Sequence, residues 1–335
     1  MRSWMAWAGF LVSVLMLSGC GDDQPEKASG VLEIAVIPKG TTHEFWKSIH
    51  AGAVKAESEL KNAGVTTIWK GPLKEDDRES QIAVMENFIT RKVDGIVLAP
   101  LDDMALRVPV STAKRSGIPV VLIDSGLNSE DYVSFVATDN YKGGKIGGHH
   151  LAKLLGNKGK VIMLRYQEGS ASTMNREQGF LDAIAEHKDI EVVSSNQHGG
   201  ATTESAYRNS ENLLAPLKTT EGRLSIDGIF CPNESTTFGM LRALQTAGLA
   251  GKVIFVGFDS SPKLVEAMRN GVIHGLVLQN PMKMGYLGVK TLVAHLKGKP
   301  VEKRIDTGVV LITPENMDEP ESMELLEPDY DKWLK

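Results

Sequence analysis

Five polar side chains each directly follow an apolar, β-branched segment, at the point where a short strand would end. They are Lys39, Asp124, Asn233, Asp259 and Gln279. Carboxylate and amide groups offer planar pairs of hydrogen-bonding atoms, whose spacing matches neighbouring hydroxyl groups on a small polyol. In open α/β sheets, ligands lie beyond the carboxyl ends of the strands. Together these residues predict a site for a small hydroxylated molecule, although each alone has a structural alternative, such as capping of the next helix by Asn233.

The elements that must position these residues alternate regularly from residue 31 onward. Short apolar runs such as 31–37, 94–100 and 118–124 alternate with longer amphipathic segments. This alternation predicts βαβ units and parallel sheets that are covered on both faces. About eleven strands are expected, the last at 305–312, and one sheet of that size would be unusual. We therefore predict an α/β fold of two doubly wound, Rossmann-like lobes, with the break between them near Thr138.

The composition excludes several classes of protein. Of 335 residues, 42% are hydrophobic and 24% are charged, which is ordinary for a folded chain and excludes extensive disorder. The net charge is −5 and no basic block is present, so no nucleic-acid partner is expected. We also expect no cofactor, no metal site and no catalytic residue. An exported glycoside hydrolase that uses Asp124 and Asp259 as its carboxylate pair is the alternative from the enzymes.

The N-terminal residues predict export and lipidation. Arg2 precedes an apolar run from about residue 5 to residue 17, which has the length of a signal peptide core. The run ends in LSGC (17–20), which resembles the bacterial lipobox, so we predict a lipoprotein signal peptide over 1–19 and lipidation at Cys20. A simple cleaved signal peptide is the alternative. The polar residues 20–30 have the composition of a flexible tether.

Only one further cysteine is present, Cys231. With Cys20 lipidated, the exported domain contains no internal disulfide. Because no histidine partner is suggested by the spacing, we interpret Cys231 as a half-buried structural thiol rather than a nucleophile.

Longer segments of the chain resemble a known family. The segments IAVIPKGTTHEFWKSIHAGA (34–53), DGIVLAPLD (94–102), FCPNESTTFGMLRALQTAG (230–248) and VGFDSSP (256–262) are similar to the ribose-binding branch of the periplasmic sugar-binding proteins. These are the type I solute-binding proteins of ABC importers. The resemblance covers essentially all of residues 31–312.

The resemblance implies a set of ligand-binding residues. The positions that match the family's sugar-contacting residues are Phe45, Trp46, Asp124, Asn233, Asp259 and Gln279. The chain departs from the family at Lys39, His43 and Ser125, and Arg176 stands two residues from the expected arginine. Lysine cannot reproduce the bidentate fork of an arginine. The departures argue against ribose itself and leave a modified sugar, a polyol, a sugar acid and the signal autoinducer-2 as ligands.

The resemblance also implies an organisation and partners. It predicts an N-terminal lobe from 31–138 plus 280–307, a C-terminal lobe from 139–279 plus 308–320, and an acidic tail over 321–335. Three crossovers would form a hinge, and the lobes would close over one sugar or polyol. The expected protein is a monomer, lipid-anchored on the periplasmic or extracytoplasmic face, that delivers its ligand to an ABC permease. Delivery to a sensory receptor is the alternative.

Overall fold

The computed structural model describes Met1 and residues 30–334, so the predicted signal peptide and the lipidation site at Cys20 lie outside the described residues. Within 30–334 the strands are β1 (Leu32–Ile37), β2 (Val65–Trp69), β3 (Gly95–Leu98), β4 (Val120–Ile123), β5 (Ser134–Ala137), β6 (Lys158–Arg165), β7 (Asp189–His198), β8 (Gly228–Phe230), β9 (Ile254–Phe258), β10 (Gly275–Leu278), β11 (Arg304–Asp306) and β12 (Val310–Ile312).

The α-helices of the same range alternate with these strands. They are α1 (Glu44–Leu60), α2 (Arg78–Thr90), α3 (Arg107–Arg115), α4 (Asn140–Leu154), α5 (Ala171–Ala185), α6 (Thr203–Leu214), α7 (Glu234–Thr246), α8 (Pro262–Arg269), α9 (Pro281–Leu296) and α10 (Pro320–Leu326).

The strands form two six-stranded sheets, which confirms the predicted fold class. The first sheet has the order β11-β5-β4-β3-β1-β2 and the second has the order β12-β10-β9-β8-β6-β7. The pairs are parallel except that β12 runs antiparallel to β10. We call the first sheet with α1, α2, α3 and α9 the first lobe. The second sheet with α4 to α8 and α10 is the second lobe.

The chain passes between the lobes three times, after β5, after β10 and after β11. The last passage corrects the prediction of a single strand over 305–312. Gly308, with φ of 91°, lies between β11 and β12, and the apolar residues on either side of it join different sheets. The sequence IDTGVVLI (305–312) does not reveal such a change of sheet, because both halves satisfy the same strand pattern.

Apolar residues cover both faces of each sheet. In the first lobe, one face packs α1 and α9 through residues such as Ile49 and Leu292, and the other packs α2 and α3 through Phe88 and Val110. The second lobe is built in the same way, with one cluster under α4 and α5 and another under α7 and α8. Each sheet is therefore fixed, and its strand ends are fixed with it.

Close packing of α4 against α5 positions a functional side chain. The two glycine pairs of GGKIGG (143–148) predict such packing, and the structure confirms it. A Cβ atom on Gly144 would overlap the carbonyl oxygen of Arg176, which lies on α5. The absence of a side chain at Gly144 therefore sets how deeply Arg176 enters the space between the lobes.

Candidate functional site

A small cavity lies where the carboxyl ends of the strands of both lobes meet. Residues of both lobes line it: Lys39, His43, Phe45, Trp46, Glu75, Asp124, Tyr166, Ser170, Ser172, Thr173, Arg176, Asn233, Glu234, Asp259 and Gln279. The lobes touch beside it, because the backbone N–H of Asp103 donates to the carbonyl of Gly169 at 2.9 Å. The structure therefore shows the two lobes closed over the cavity.

Nine of the ten ligand-binding residues expected from the sequence line this cavity. Ser125 is the exception. It is fully buried behind the wall, where its hydroxyl accepts a hydrogen bond of 3.1 Å from the backbone N–H of Ser172. Ser125 belongs to the first lobe and Ser172 to the second, so the hydroxyl joins the lobes instead of facing the cavity.

Two aspartates occupy equivalent places in the two lobes. Asp124 directly follows β4 and Asp259 directly follows β9, and both have a left-handed backbone, with φ of 60° and 64°. This conformation is uncommon outside glycine, although aspartate tolerates it better than most residues. Backbone strain of this kind clusters at binding sites. Here it directs both carboxylates into the cavity.

Arg176 lies between these two carboxylates. Its Nη1 is 3.6 Å from Asp259 and its Nη2 is 4.0 Å from Asp124. The side chain is 2% exposed, and the guanidinium carbon lies 4.1 Å from the centre of the Phe258 ring. Nε donates to Asn140 at 2.8 Å and Nη1 to the carbonyl of Pro232 at 2.9 Å. These contacts fix the guanidinium plane and leave Nη2 facing the cavity.

Gln279 contributes a free acceptor beside Asp259. Its Nε2 donates to Asp259 Oδ1 at 2.7 Å, whereas its buried Oε1 has no hydrogen-bond partner among the described residues. Burial raises the pKa of Asp259, and Arg176 opposes that rise. An acceptor without a partner is costly in a buried site, so this corner is suited to a ligand that brings a hydroxyl donor.

Lys39 replaces the small polar residue that the family resemblance implies. Its ammonium group lies 2.8 Å from Asp124 Oδ2, and it donates to Ser172 at 3.1 Å and to Ser170 at 3.4 Å. An ammonium group has three donors, and the two serine hydroxyls engage two of them. Lys39 therefore balances the charge of Asp124 and joins the first lobe to the second.

Glu75 forms a second carboxylate centre in the lining of the cavity, which we call the Glu75 end to distinguish it from the Asp259 end formed by Asp259 and Gln279. Its side chain accepts hydrogen bonds from Trp46 Nε1 at 2.8 Å and from Tyr166 Oη at 2.6 Å, and it pairs with His43 Nδ1. Burial alone would raise the pKa of Glu75, but the charge of His43 and the donated hydrogen bonds outweigh it and lower the pKa to about 2. Burial alone would lower the pKa of His43, but Glu75 outweighs it and raises that pKa to about 9.

The aromatic and amide residues complete the lining. Phe45 and Trp46 meet edge to face with ring centres 5.0 Å apart. Asn233 caps α7, as its structural alternative predicts, because its Oδ1 accepts from the backbone N–H of Thr236 at 3.2 Å. Its Nδ2 donates to Ser235 at 3.1 Å, which leaves its second amide hydrogen free to face the cavity.

Sequence reasoning missed six lining residues. They are Glu75, Tyr166, Ser170, Ser172, Thr173 and Glu234. Tyr166 directly follows β6, so the strand-end rule contains the signal for it. Glu75 lies in the loop between β2 and α2, at a distance from the strand end that no spacing rule covers.

The structure also describes the placement of potential metal ligands and of Cys231. No group of three or more His, Cys, Asp or Glu side chains in the described part of the chain is placed to hold a metal ion. Cys231 is fully buried, which corrects the half-buried interpretation, and burial raises the pKa of its thiol. Its environment is that of an inert structural thiol.

Comparison with known proteins identifies the family. The family model of the periplasmic binding protein domain matches residues 34–300 of this chain. The ribose import binding protein of Haemophilus influenzae is 31% identical over 286 residues, which are 85% of this chain and 93% of that protein. A carbohydrate transporter solute-binding protein from Agrobacterium radiobacter, solved with D-arabinose, has a TM-score of 0.83 at 33% identity and covers 90% of this chain and 100% of its own.

A second similar structure is an ABC transporter solute-binding protein from Agrobacterium vitis with bound D-fucose. It has a TM-score of 0.82 at 36% identity and covers 88% of this chain and 99% of its own. The chain belongs to the periplasmic binding protein family. Its relatives are solute-binding proteins of ABC importers, so it is a binding protein and not an enzyme. Among the described residues, no helix has the length and apolar character that a membrane span needs.

Proposed function

We propose that the chain captures a small sugar or polyol in the cavity between its lobes and delivers it to an ABC permease. The observation that carries this proposal is the row formed by Asp124, Arg176 and Asp259, with the free acceptor of Gln279 at its end. Carboxylates accept hydrogen bonds from hydroxyl groups, and the guanidinium donates to the oxygen atoms of the same hydroxyls. Vicinal hydroxyls match this alternation of acceptor and donor.

The aromatic pair supports a ring-shaped ligand. A sugar has an apolar C–H face as well as a hydroxyl edge, and the rings of Phe45 and Trp46 form an apolar wall for that face. The named ligands of the relatives, which include D-arabinose and D-fucose, have both features. His43, Asn233 and Lys39 complete the proposed contacts.

Delivery to a permease follows from closure of the lobes. We assign 31–138 plus 280–307 to one lobe, 139–279 plus 308–320 to the other, and 321–335 to an acidic tail, whose α10 packs on the second lobe. The three passages between the sheets form a hinge, and closure brings both lobe surfaces into one fixed arrangement that a permease can recognise. The protein acts as a monomer.

Lipid attachment at Cys20 keeps the protein beside the permease on the extracytoplasmic face of the membrane. The predicted signal peptide over 1–19 and the tether over 20–30 support this part of the proposal. Mass spectrometry of the membrane-extracted protein tests it: the wild type carries acyl chains and Cys20→Ala does not. An unmodified wild-type N-terminus at a later residue would leave a simple cleaved signal peptide instead.

A thermal-shift screen tests the choice of ligand. The panel contains pentoses, hexoses, polyols, sugar acids and autoinducer-2, which is included because IPK (37–39) resembles its binding proteins. A ligand that binds the folded form raises the melting temperature by mass action. We expect a shift with one class of sugar or polyol. A shift with autoinducer-2 alone would favour a signal-binding protein that feeds a sensory receptor, and no shift with any member would contradict sugar binding.

A further inference from the structure

Glu234 makes a contact between the lobes that the ligand-binding role does not require. It is the first residue of α7 in the second lobe and is 8% exposed. Its carboxylate accepts hydrogen bonds from the backbone N–H groups of Phe45 at 3.1 Å and Glu44 at 3.4 Å. Both of those residues begin α1 in the first lobe. The carboxylate therefore crosses the cleft.

The sequence around the start of α1 provides no side chain that caps the helix. Its N-cap residue is His43, whose side chain makes no capping hydrogen bond and instead pairs with Glu75. The first N–H groups of a helix have no partner within the helix, and a carboxyl oxygen can accept from them in either protonation state. Glu234 supplies the missing acceptor from the opposite lobe.

The same residue also contacts the second wall of the cavity. The backbone N–H of Glu234 donates to Asp259 Oδ2 at 3.2 Å. On the other side, the turn of α1 that its carboxylate holds carries Phe45 and Trp46, which line the cavity. Glu234 is thus hydrogen-bonded to Asp259 through its backbone and to the start of α1, which carries Phe45 and Trp46, through its side chain.

We propose that Glu234 is a positioning residue that caps α1 only when the lobes close, so that closure and assembly of the binding site are one event coupled to uptake of a proton. The proposal rests on the proposed function for its ligand and on the geometry alone for its closure. The proton belongs to the carboxylate, because closing the cleft removes that carboxylate from water.

The charges around Glu234 determine when the proton is taken up. His43 faces it from the start of α1, Asp259 from the end of β9 and Tyr330 from the C-terminal segment, while the backbone N–H groups of Phe45 and Glu44 donate to it and lower its pKa. Burial raises the pKa of Glu234 to about 7 from an ordinary value of 4.5, and His43 opposes that rise. The closed form therefore binds more protons than an open, solvated form between those two values, and closure becomes more favourable as the pH falls.

Small-angle X-ray scattering of the sugar-free full chain tests this coupling. Between about pH 8 and pH 5.5 the closed-to-open ratio of the wild type should rise on the order of tenfold, and the radius of gyration should fall accordingly. Glu234→Gln keeps the size and one acceptor but cannot take up the proton, so its radius should not change over this range. Glu204→Gln, which removes an exposed carboxylate of the same lobe, should keep the wild-type profile.

Two outcomes overturn the proposal: a wild-type radius that does not depend on pH, or a Glu234→Gln profile identical to that of the wild type. The second outcome would assign the proton to Asp259 or another group. The variant Glu234→Ala removes the cap altogether and should remain more open than Glu234→Gln at every pH. If it is as closed as Glu234→Gln, the capping contact has no role in closure.

Binding of D-arabinose, measured by calorimetry in two buffers of different ionisation enthalpy, separates this proposal from the proposed function. We expect proton uptake on binding near pH 6 in the wild type and a smaller uptake in Glu234→Gln. Binding with equal uptake in both proteins would contradict the role of Glu234 and leave sugar binding intact. If D-arabinose does not bind, the screen above decides the function, and the scattering result still decides the closure.

Discussion

The two ends of the cavity use buried carboxylates in opposite ways. At one end, Glu75 has a hydrogen-bond donor or a positive charge on both oxygens, and its pKa is lowered to about 2. At the other end, burial raises the pKa of Asp259, and Gln279 beside it retains an acceptor without a partner among the described residues. Glu75 accepts from three side chains of the protein, whereas Asp259 accepts one hydrogen bond on each oxygen and its neighbour Gln279 keeps an acceptor for a ligand.

This difference distinguishes residues of the pocket that stabilise the structure from residues that can bind a ligand. Burying a polar group is favourable only where its hydrogen bonds are replaced, so a satisfied carboxylate has little to offer a ligand. The Glu75 end joins the two lobes through Tyr166 of the second lobe and His43 of the first. The Asp259 end keeps hydrogen-bonding capacity for a molecule from outside. Position in the lining therefore does not by itself make a residue a ligand contact.

The largest expected effect is on stability, at the satisfied end. Replacing Glu75 with alanine leaves the His43 charge and the Tyr166 hydroxyl without their partner, and breaking a buried ion pair in this way costs about 3–5 kcal/mol. Chemical denaturation of the sugar-free protein measures the loss. The control is Glu266→Ala, which breaks an exposed pair with Lys263 and should change stability by less than about 1 kcal/mol. A similar small loss for both variants would remove the distinction between the two ends.

The next effect is on affinity, at the other end. Asp259→Ala removes an acceptor for the ligand and leaves Arg176 with one fewer carboxylate neighbour, and such a deletion costs about 1.5–3 kcal/mol. Sugar binding should weaken by roughly tenfold to more than a hundredfold, as titration calorimetry with the best sugar of the screen would record. Asp318→Ala, on the surface beside Arg269, is the matched control and should bind as the wild type does. Unchanged affinity in Asp259→Ala would exclude Asp259 from the site.

The pH dependence of unfolding sharpens the comparison. The pKa of His43 is raised to about 9 from 6.5, so its stabilising pair with Glu75 is fully present below pH 6.5 and is lost as the pH rises through 9. The pKa of Glu75 is lowered from 4.5 to about 2, so its contribution is lost as the pH falls between those values. The melting temperature of the wild type should fall from pH 6.5 to pH 9.

The same melting series on Glu75→Ala provides the control. Without its partner, His43 has no reason to hold a proton above its ordinary range, so the decline above pH 6.5 should largely disappear. An equal decline in the variant and the wild type would assign that decline to other groups.

The smallest effect concerns the C-terminal segment, which the sequence analysis describes only as an acidic tail. Leu326 of α10 is buried in the second lobe, whereas Tyr330 Oη donates to the carbonyl of Glu44 in the first lobe at 3.3 Å. Tyr330→Phe removes this one bond between the lobes, at a cost of about 0.5–1.5 kcal/mol. Stopped-flow measurement should show sugar dissociating a few times faster. Tyr141→Phe, at an exposed tyrosine of α4, should not alter the rate.

The parts of the site that follow buried strands were predictable from the sequence. Lys39, Asp124 and Asp259 each follow an apolar run, and the carboxyl ends of parallel strands converge at one edge of each sheet. The family resemblance added His43 and Arg176, which no strand pattern indicates. The fold class and the presence of two lobes were predictable from the regular alternation of strands and helices.

The contacts between lobes were not predictable. Glu75 lies in a loop, and Glu234 is the first residue of α7. Their roles therefore depend on which groups of the other lobe approach them. Ser125 shows the converse: it follows the strand-end residue Asp124 directly, but its hydroxyl points behind the wall to Ser172.

A crystal structure of the protein with the sugar that gives the largest thermal shift tests the central claim most directly. The account predicts one sugar between the lobes, with its hydroxyl groups within hydrogen-bonding distance of Asp124, Arg176 and Asp259, and Gln279 Oε1 accepting from one of them. A sugar bound outside the cleft, or one held in the cleft by the Glu75 end while the Asp259 end makes no contact with it, would contradict the account.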